Sequence, residues 1–392
     1  MRVFVQPVIV GATAAVLAAA VGAALPGAQA AVGSQSAQNQ NAPLAETVFK
    51  DVQVLKGIPV DEFMDTMGMF AAATTKDCTG CHAPEILTGS RDAFATPTPM
   101  IQRARQMVVM MNTINRNYFR GEKRVTCYSC HSATSNPQRV PNLSIQYGTP
   151  PAENPDRLEF VALPDRANEV DQIFAKYIQA IGGAQRLGSV KTFSATGTYA
   201  GWDTSRVEVS VELFGRAPDA LTTIVHRREG DNVFVFDGNS AWFAGVDAAV
   251  PNFTLTYTGG NLAGARVDAL VAVAPHTVQQ AFSRWQVSED VIGDDTPVTI
   301  LQGTNQGELP VNLYFDESGL LVRLVRWADT AVGPVPTQFD FSDYREVGGI
   351  RRPFRWVKAW TNNQVVFALK DVRINAPVDV SRFAKPAPVA LK

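Results

Sequence analysis

Every cysteine in this chain belongs to one of two copies of a single five-residue pattern, Cys78-Thr79-Gly80-Cys81-His82 and Cys127-Tyr128-Ser129-Cys130-His131. Cys-x-x-Cys-His is the signature of covalent c-type haem attachment. Two thiols three positions apart can each bond one vinyl group of a haem, and the adjacent imidazole then sits beneath the iron as the proximal ligand. Two such patterns predict two covalently bound haem c groups, attached through Cys78, Cys81, Cys127 and Cys130, with His82 and His131 on the irons. With all thiols so committed, the fold must do without disulfides. A zinc site built from two Cys-x-x-Cys pairs usually separates them by about 15–20 residues, far fewer than lie between Cys81 and Cys127, and it would give the two histidines no role. A thioredoxin-like redox pair needs a βαβ setting, and neither pattern lies in one.

The amino terminus predicts export. Arg2 precedes an apolar run from Val8 to Leu25, and Ala28-Gln29-Ala30 supplies small residues where a signal peptidase would cut. A signal peptide over residues 1–30, cleaved near Ala30, would place the chain in the periplasm. The apolar run is also long enough to be borderline for a retained anchor, which would give N-terminal or peripheral membrane association. Residues 31–44, rich in Gln, Asn, Ser and Ala, read as a flexible leader. A cytochrome domain is expected over 45–146 and a Pro-rich linker over 147–165, broken by Pro150, Pro151, Pro155 and Pro164. A second domain follows over 166–390. The formal charge of -2 is not that of a basic nucleic-acid binder.

Haem iron takes a second axial ligand, and its identity sets the chemistry. The chain has four histidines. His226 falls in a strand-like run and His276 near a helix start, and neither carries a ligand motif. Methionine is better placed. Asp61 to Phe70 reads as a short helix after Pro59, with Phe63, Met67 and Phe70 on one face. Pro99 opens a longer helix whose stripe includes Met100, Ala104, Met107, Met111, Ile114 and Tyr118. Methionines more often fill irregular apolar gaps than bind metal, but here they gather in the two helices that precede the two patterns.

The block from Val48 to Pro59, followed by Phe63, Met67 and the first Cys-x-x-Cys-His, resembles the cytochrome c subunit of photosynthetic reaction centres. So does the second block, Ala104 to Met110 with Ile114-Asn115 and Val125-Thr126 before the second motif. The resemblance implies a helix, a turn and an attachment motif for each haem, with an axial methionine on each helix. Met67 matches the first ligand position and Met107 the second, and Met110 and Met111 remain alternatives to Met107. Photosynthetic members carry four motifs where this chain has two, and the family's histidine between the second methionine and second motif is absent from Asn117 to Thr126. A diheme, non-photosynthetic relative is therefore implied.

The C-terminal domain is expected to be mainly antiparallel β. Alternation runs through Arg206 to Leu213 and Asn232 to Phe236, and Leu309 to Phe315 with Leu320 to Trp327 makes a hairpin across Asp316-Glu317-Ser318-Gly319. Further strands are expected at Thr337–Tyr344, Phe354–Trp360 and Gln364–Ile374. One helix is expected near the start, from Val170 to Ile181, and one around Thr277 to Gln286. A long sheet curling around a helix would bury this pattern. The outline is similar to the lipoprotein-sorting (LolA/LolB-like) family of open β-barrels, which implies an acyl chain in an apolar cavity. Trp242, Trp285, Trp327, Trp356 and Trp360 are equally well read as core or rim aromatics.

These features predict an exported diheme cytochrome c that transfers electrons by an outer-sphere route, with redox proteins or a membrane-bound electron-transfer complex as partners and no catalytic residues. A diheme peroxidase, which needs one iron with an open position, is the enzymatic alternative. A lipid- or lipoprotein-binding module carrying a redox-active cytochrome is the third.

Overall fold

The computed structural model describes residues 42–140, 166–245, 254–293 and 296–388. The expected signal peptide, the leader up to residue 41 and the linker 147–165 lie outside the described residues. Among the described residues no helix is long and apolar enough to cross a membrane.

The N-terminal part is helical. A single turn, α1 (Ala45–Val48), precedes α2 (Val60–Thr74), which starts directly after Pro59 with Asp61 and Glu62 in its first turn and ends at Thr75 in the left-handed conformation. Acidic residues there suit the positive end of the helix dipole. The longest helix, α3 (Pro99–Tyr118), has proline at its first position, and the Thr98 side chain accepts from the Ile101 N–H at 3.1 Å. These are the signals that start a helix most sharply. The second Cys-x-x-Cys-His is itself a one-turn helix, α4 (Cys127–His131), closed by a capping box between Thr126 and Ser129. Val108 and Met111 of α3 and Met69 of α2 meet in one apolar cluster, which also takes in Ala328, Val332 and Val335 from the sheet.

The C-terminal part begins with α5 (Val170–Ala180), whose Phe174 and Tyr177 are buried, and α6 (Ala184–Ser189). Among the described residues the strands form one thirteen-stranded sheet. These are β1 (Thr192–Gly201), β2 (Val209–Arg216), β3 (Ala220–Arg227), β4 (Gly230–Phe236), β5 (Ala241–Ala244), β6 (Leu255–Thr256), β7 (Arg284–Ile292), β8 (Thr296–Thr304), β9 (Val311–Phe315), β10 (Leu321–Ala328), β11 (Val335–Val347), β12 (Ile350–Trp360) and β13 (Asn363–Ile374). Their spatial order is β6-β5-β4-β3-β2-β1-β13-β12-β11-β10-β9-β8-β7, with every pairing antiparallel. Two meanders thus run outward and inward and join where β1 pairs with β13. At that seam the register shifts between Thr196 and Gly197, and a Cβ on Gly197 would lie 2.3 Å from the Ala368 carbonyl oxygen, so the close approach requires glycine.

Between the meanders runs α7 (Gly259–Val273). It packs against β2, β3 and β4 from one half of the sheet and β10 from the other. These strands stand far apart in the strand order, so the sheet curls around the helix, as expected. The expected position of that helix is corrected. Thr277 to Gln286 is instead the end of a 3-10 segment, Pro275–Ala281, followed by the start of β7. The helix was hidden because Gly259-Gly260 reads as a turn and because it is buried on most sides, at Gly264, Ala265, Val267, Ala269, Leu270 and Val273, which erases the amphipathic period. Gly264 has its own reason: a Cβ there would sit 2.2 Å from Nη1 of Arg326, whose guanidinium pairs with both oxygens of Asp268 at 2.8 Å.

Candidate haem sites

Each attachment motif opens one residue after a capping side chain. In the first, Asp77 accepts from the Gly80 N–H at 3.1 Å and the Thr79 hydroxyl at 2.6 Å, and these bonds, Thr79 first, hold its carboxyl below the usual carboxylate range. In the second, Thr126 and Ser129 cap each other. Both motifs are therefore wound into a turn that sets the two thiols and the imidazole on successive positions of a short helical segment.

The histidines are oriented alike. His82 Nδ1 lies 2.9 Å from the Phe94 carbonyl oxygen, and His131 Nδ1 lies 3.1 Å from that of Thr134. A carbonyl only accepts, so Nδ1 carries the proton in both rings and the Nε2 lone pair is left for a metal. Burial lowers the His82 pKa, which keeps the ring neutral, the form that ligates iron. None of the four cysteines is in a disulfide, and burial pushes the Cys127 thiol up to about 11 and the Cys81 thiol upward as well.

Beside the first motif lies an open cavity. Its lining brings together Met67 from α2, Cys81 and His82 from the motif, and the apolar side chains of Phe63, Phe70 and Val108. An expected distal ligand and an expected proximal ligand thus face one space. Arg105 lines the same cavity. Its Nη2 donates to the backbone oxygen and Oδ2 of Asp51 at 2.6 and 2.9 Å, while its Nη1 is buried without a partner. An unsatisfied guanidinium N–H in an apolar pocket is costly unless the occupant supplies an acceptor. The residues present fit a haem: His82 and Met67 would hold its iron, the apolar side chains its ring, and Arg105 would offer an N–H to an acidic substituent.

The second motif has different surroundings. Asn115 of α3 is buried and grips Val125 from both sides, donating to its carbonyl oxygen at 2.7 Å and accepting from its N–H at 2.9 Å, so the chain entering the motif is tied to α3. Met111, only 4% exposed, shares an apolar cluster with Cys127. Met107 and Met110 stand on the outer face of α3, 39% and 45% exposed. The three methionines considered for this iron are thus divided between core and surface.

The remaining histidines are placed elsewhere. His226 lies on β3 with Nδ1 3.1 Å from Asp231 and Nε2 3.2 Å from Glu212, and His276 belongs to the 3-10 segment after α7. Neither is among the residues lining the first cavity. Among the described residues, no group of three or more His, Cys, Asp or Glu side chains is arranged to hold a metal ion. Phe94 and Thr134 carried no legible signal as site residues, and Arg105 and Asn115 stood in the block that carries the resemblance without a role assigned to them. Arg105 stands on the inward face of α3, where its charge alone distinguishes it.

Residues 15–155 match the model of the photosynthetic reaction centre cytochrome c subunit family. The matched stretch contains both attachment motifs and both methionine-bearing helices, and the family it resembles implies covalently bound haem. No curated protein matches the chain. The C-terminal β part is similar to a LolA superfamily protein from Nitrosomonas europaea, with 12% identity, 55% of this chain and 97% of that chain covered, and a TM-score of 0.36. It is also similar to a DUF1329 family protein from Desulfovibrio piger, with 9% identity, 55% and 97% coverage, and a TM-score of 0.37.

The sheet has a cavity of its own, walled mainly by aromatic and aliphatic side chains of α5, α7 and both meanders. Arg352 and Lys358 of β12 stand in that wall. Arg352 donates to the Ala272 carbonyl oxygen and stacks over Phe193, and Lys358 lies over Phe339 and Trp360. Burial lowers the Arg352 pKa to about 10 and that of Lys358 to about 8.

Proposed function

We propose that this protein is an exported diheme cytochrome c that passes electrons by outer-sphere transfer between periplasmic or membrane redox partners. The observation that supports it most is the first cavity, whose lining holds both Met67 and His82 together with the buried, unpartnered Nη1 of Arg105. Bound haem c would supply one-electron chemistry at iron. The chain's own residues would do the rest. His82 and His131 present Nε2 because Phe94 and Thr134 hold Nδ1–H. Met67 on the first iron and Met107, with Met110 and Met111 as alternatives, on the second would raise the potentials and close both irons to substrates. Phe63, Phe70 and Val108 exclude water, which also favours the reduced, less charged state.

The test is a redox titration of the purified protein made with a competent cytochrome maturation system, with carbon monoxide added to the reduced form. Two covalent haems by mass, two one-electron steps and little carbon monoxide binding are expected. A mass short of two haems removes the diheme reading, and rapid binding of carbon monoxide at one iron favours the peroxidase-like alternative.

A second reading concerns the sheet. Two cations in an apolar wall, neither ion-paired among the described residues, favour an occupant with an apolar body and an acidic head, and so an amphiphile-binding role for this part. A fluorescent fatty acid should bind the full-length protein and lose affinity in Lys358→Met with Arg352→Met. Equal binding by the variant rejects the head-group assignment.

A further inference from the structure

We propose that Thr258 and Asn261, at the start of α7, act with Asp61 and Asp65 as a positioning clamp that holds the Met67 thioether over the first haem iron. The proposal rests on Met67 being that iron's ligand. Asp61 is 3% exposed and points from α2 into the sheet half. It accepts from the Thr258 N–H at 2.6 Å, from the Thr258 hydroxyl at 2.9 Å and from Asn261 Nδ2 at 3.4 Å. The same Asn261 nitrogen donates to Asp65 at 2.6 Å. Thr258 is the N-cap of α7, yet its side chain makes no capping bond within that helix. Its hydroxyl goes to Asp61, and the Asp61 carboxylate takes over the N-terminal end of α7, where negative charge is favoured.

The direction of the grip gives the clamp its function. Residues four apart share a helix face, whereas two positions further along the chain turns to the far side, at about 100° per residue. Asp61 and Asp65 therefore hold α2 on one side, and Met67 projects on the other, where it lines the cavity with His82. Nearby contacts remove the remaining freedom of α2. A Cβ on Gly68 would sit 2.4 Å from the Thr361 hydroxyl at the β12–β13 turn, so the helix backbone lies directly on the sheet, and Met69 is buried against the sheet's apolar cluster. Breaking the carboxylate contacts frees the helix to rotate, and a small rotation moves the sulfur away from the iron. The sheet is in this sense part of the haem site although it supplies no ligand.

The experiment uses the full-length, haem-loaded protein. In the reduced state an axial methionine gives a methyl proton resonance shifted far upfield by the porphyrin ring, and its loss in Met67→Ala identifies the signal of the first haem. Thr258→Val with Asn261→Ala should broaden or abolish that signal. If the clamp loss raises the ligand-free fraction about tenfold, carbon monoxide affinity rises by the same factor. Thr258→Ser, which keeps the hydroxyl, should behave as the parent. Asn261→Ala alone gives a smaller change and serves if the double variant does not fold. A folded double variant with an unchanged signal and unchanged carbon monoxide affinity overturns the clamp while leaving Met67 as ligand. Retention of every such signal in Met67→Ala overturns the ligand assignment, and the clamp with it.

Discussion

The two attachment motifs are nearly the same in sequence and differ in what surrounds them. The first faces a cavity that already gathers Met67, His82, a largely apolar lining and an arginine with a free N–H. The second lies at the end of a long helix, tied down by Asn115, with two of its three methionines on the surface and the third in the core. Capping and histidine orientation are shared because they depend on residues within a few positions of each motif, or on one nearby carbonyl. The distal side is not shared, because it is delivered by a different helix in each case. Local chemistry thus repeats while the environment, which sets potential and access, does not.

The largest effect that can test this contrast is loss of a thioether pair. Cys78→Ala with Cys81→Ala and Cys127→Ala with Cys130→Ala should each lower the mass by one haem and leave a single redox step; two steps in either variant would refute separate haems. Next come the distal ligands. Met67→Ala should open the first iron to carbon monoxide and lower its potential. Met107→Ala, Met110→Ala and Met111→Ala, compared under the same conditions, should single out one residue for the second iron, with Met107 expected from the family pattern. An unchanged potential in Met67→Ala would break the contrast from the side where it is best defined.

Asn115→Ala should destabilise the second motif. It leaves the Val125 N–H and C=O unpaired in a buried setting, at a cost of about 1–3 kcal/mol, and chemical denaturation should show it with little change in the first haem's potential. The smallest effect is a pH dependence. Burial raises the Glu62 carboxyl from 4.5 to about 7. Between those values the folded state binds more protons than the unfolded state, so this group's contribution falls as pH rises through the window. Glu62→Gln should flatten the stability profile there and gain relative to the parent at higher pH; an identical slope in both proteins would show that Glu62 does not set it.

Much of the candidate site was legible because the Cys-x-x-Cys-His pattern is written in adjacent residues. Cys78, Cys81 and His82, and their counterparts at 127–131, need only a single turn to become a binding motif, and the Pro59 and Pro99 helix starts are equally local. The alternating burial of β2 and the β9–β10 hairpin were readable for the same reason. What escaped was non-local. The helix at Gly259–Val273 is buried on most sides and so has no amphipathic period, and its glycines imitate a turn. Arg105 lines the Met67 cavity, and Thr258 and Asn261 meet α2, only because folding brings α3 and α7 to the Met67 helix.

By itself, then, the sequence determined where the two attachment patterns stand, which imidazoles they offer and that a curled antiparallel sheet follows. Only the tertiary structure decided that Met67 and His82 share one cavity, that Met107 and Met111 part between surface and core, and that the sheet grips α2 through Asp61. The reason is physical: a motif of adjacent residues carries its geometry in the backbone, whereas the distance between residues far apart in the chain exists only once the core has packed.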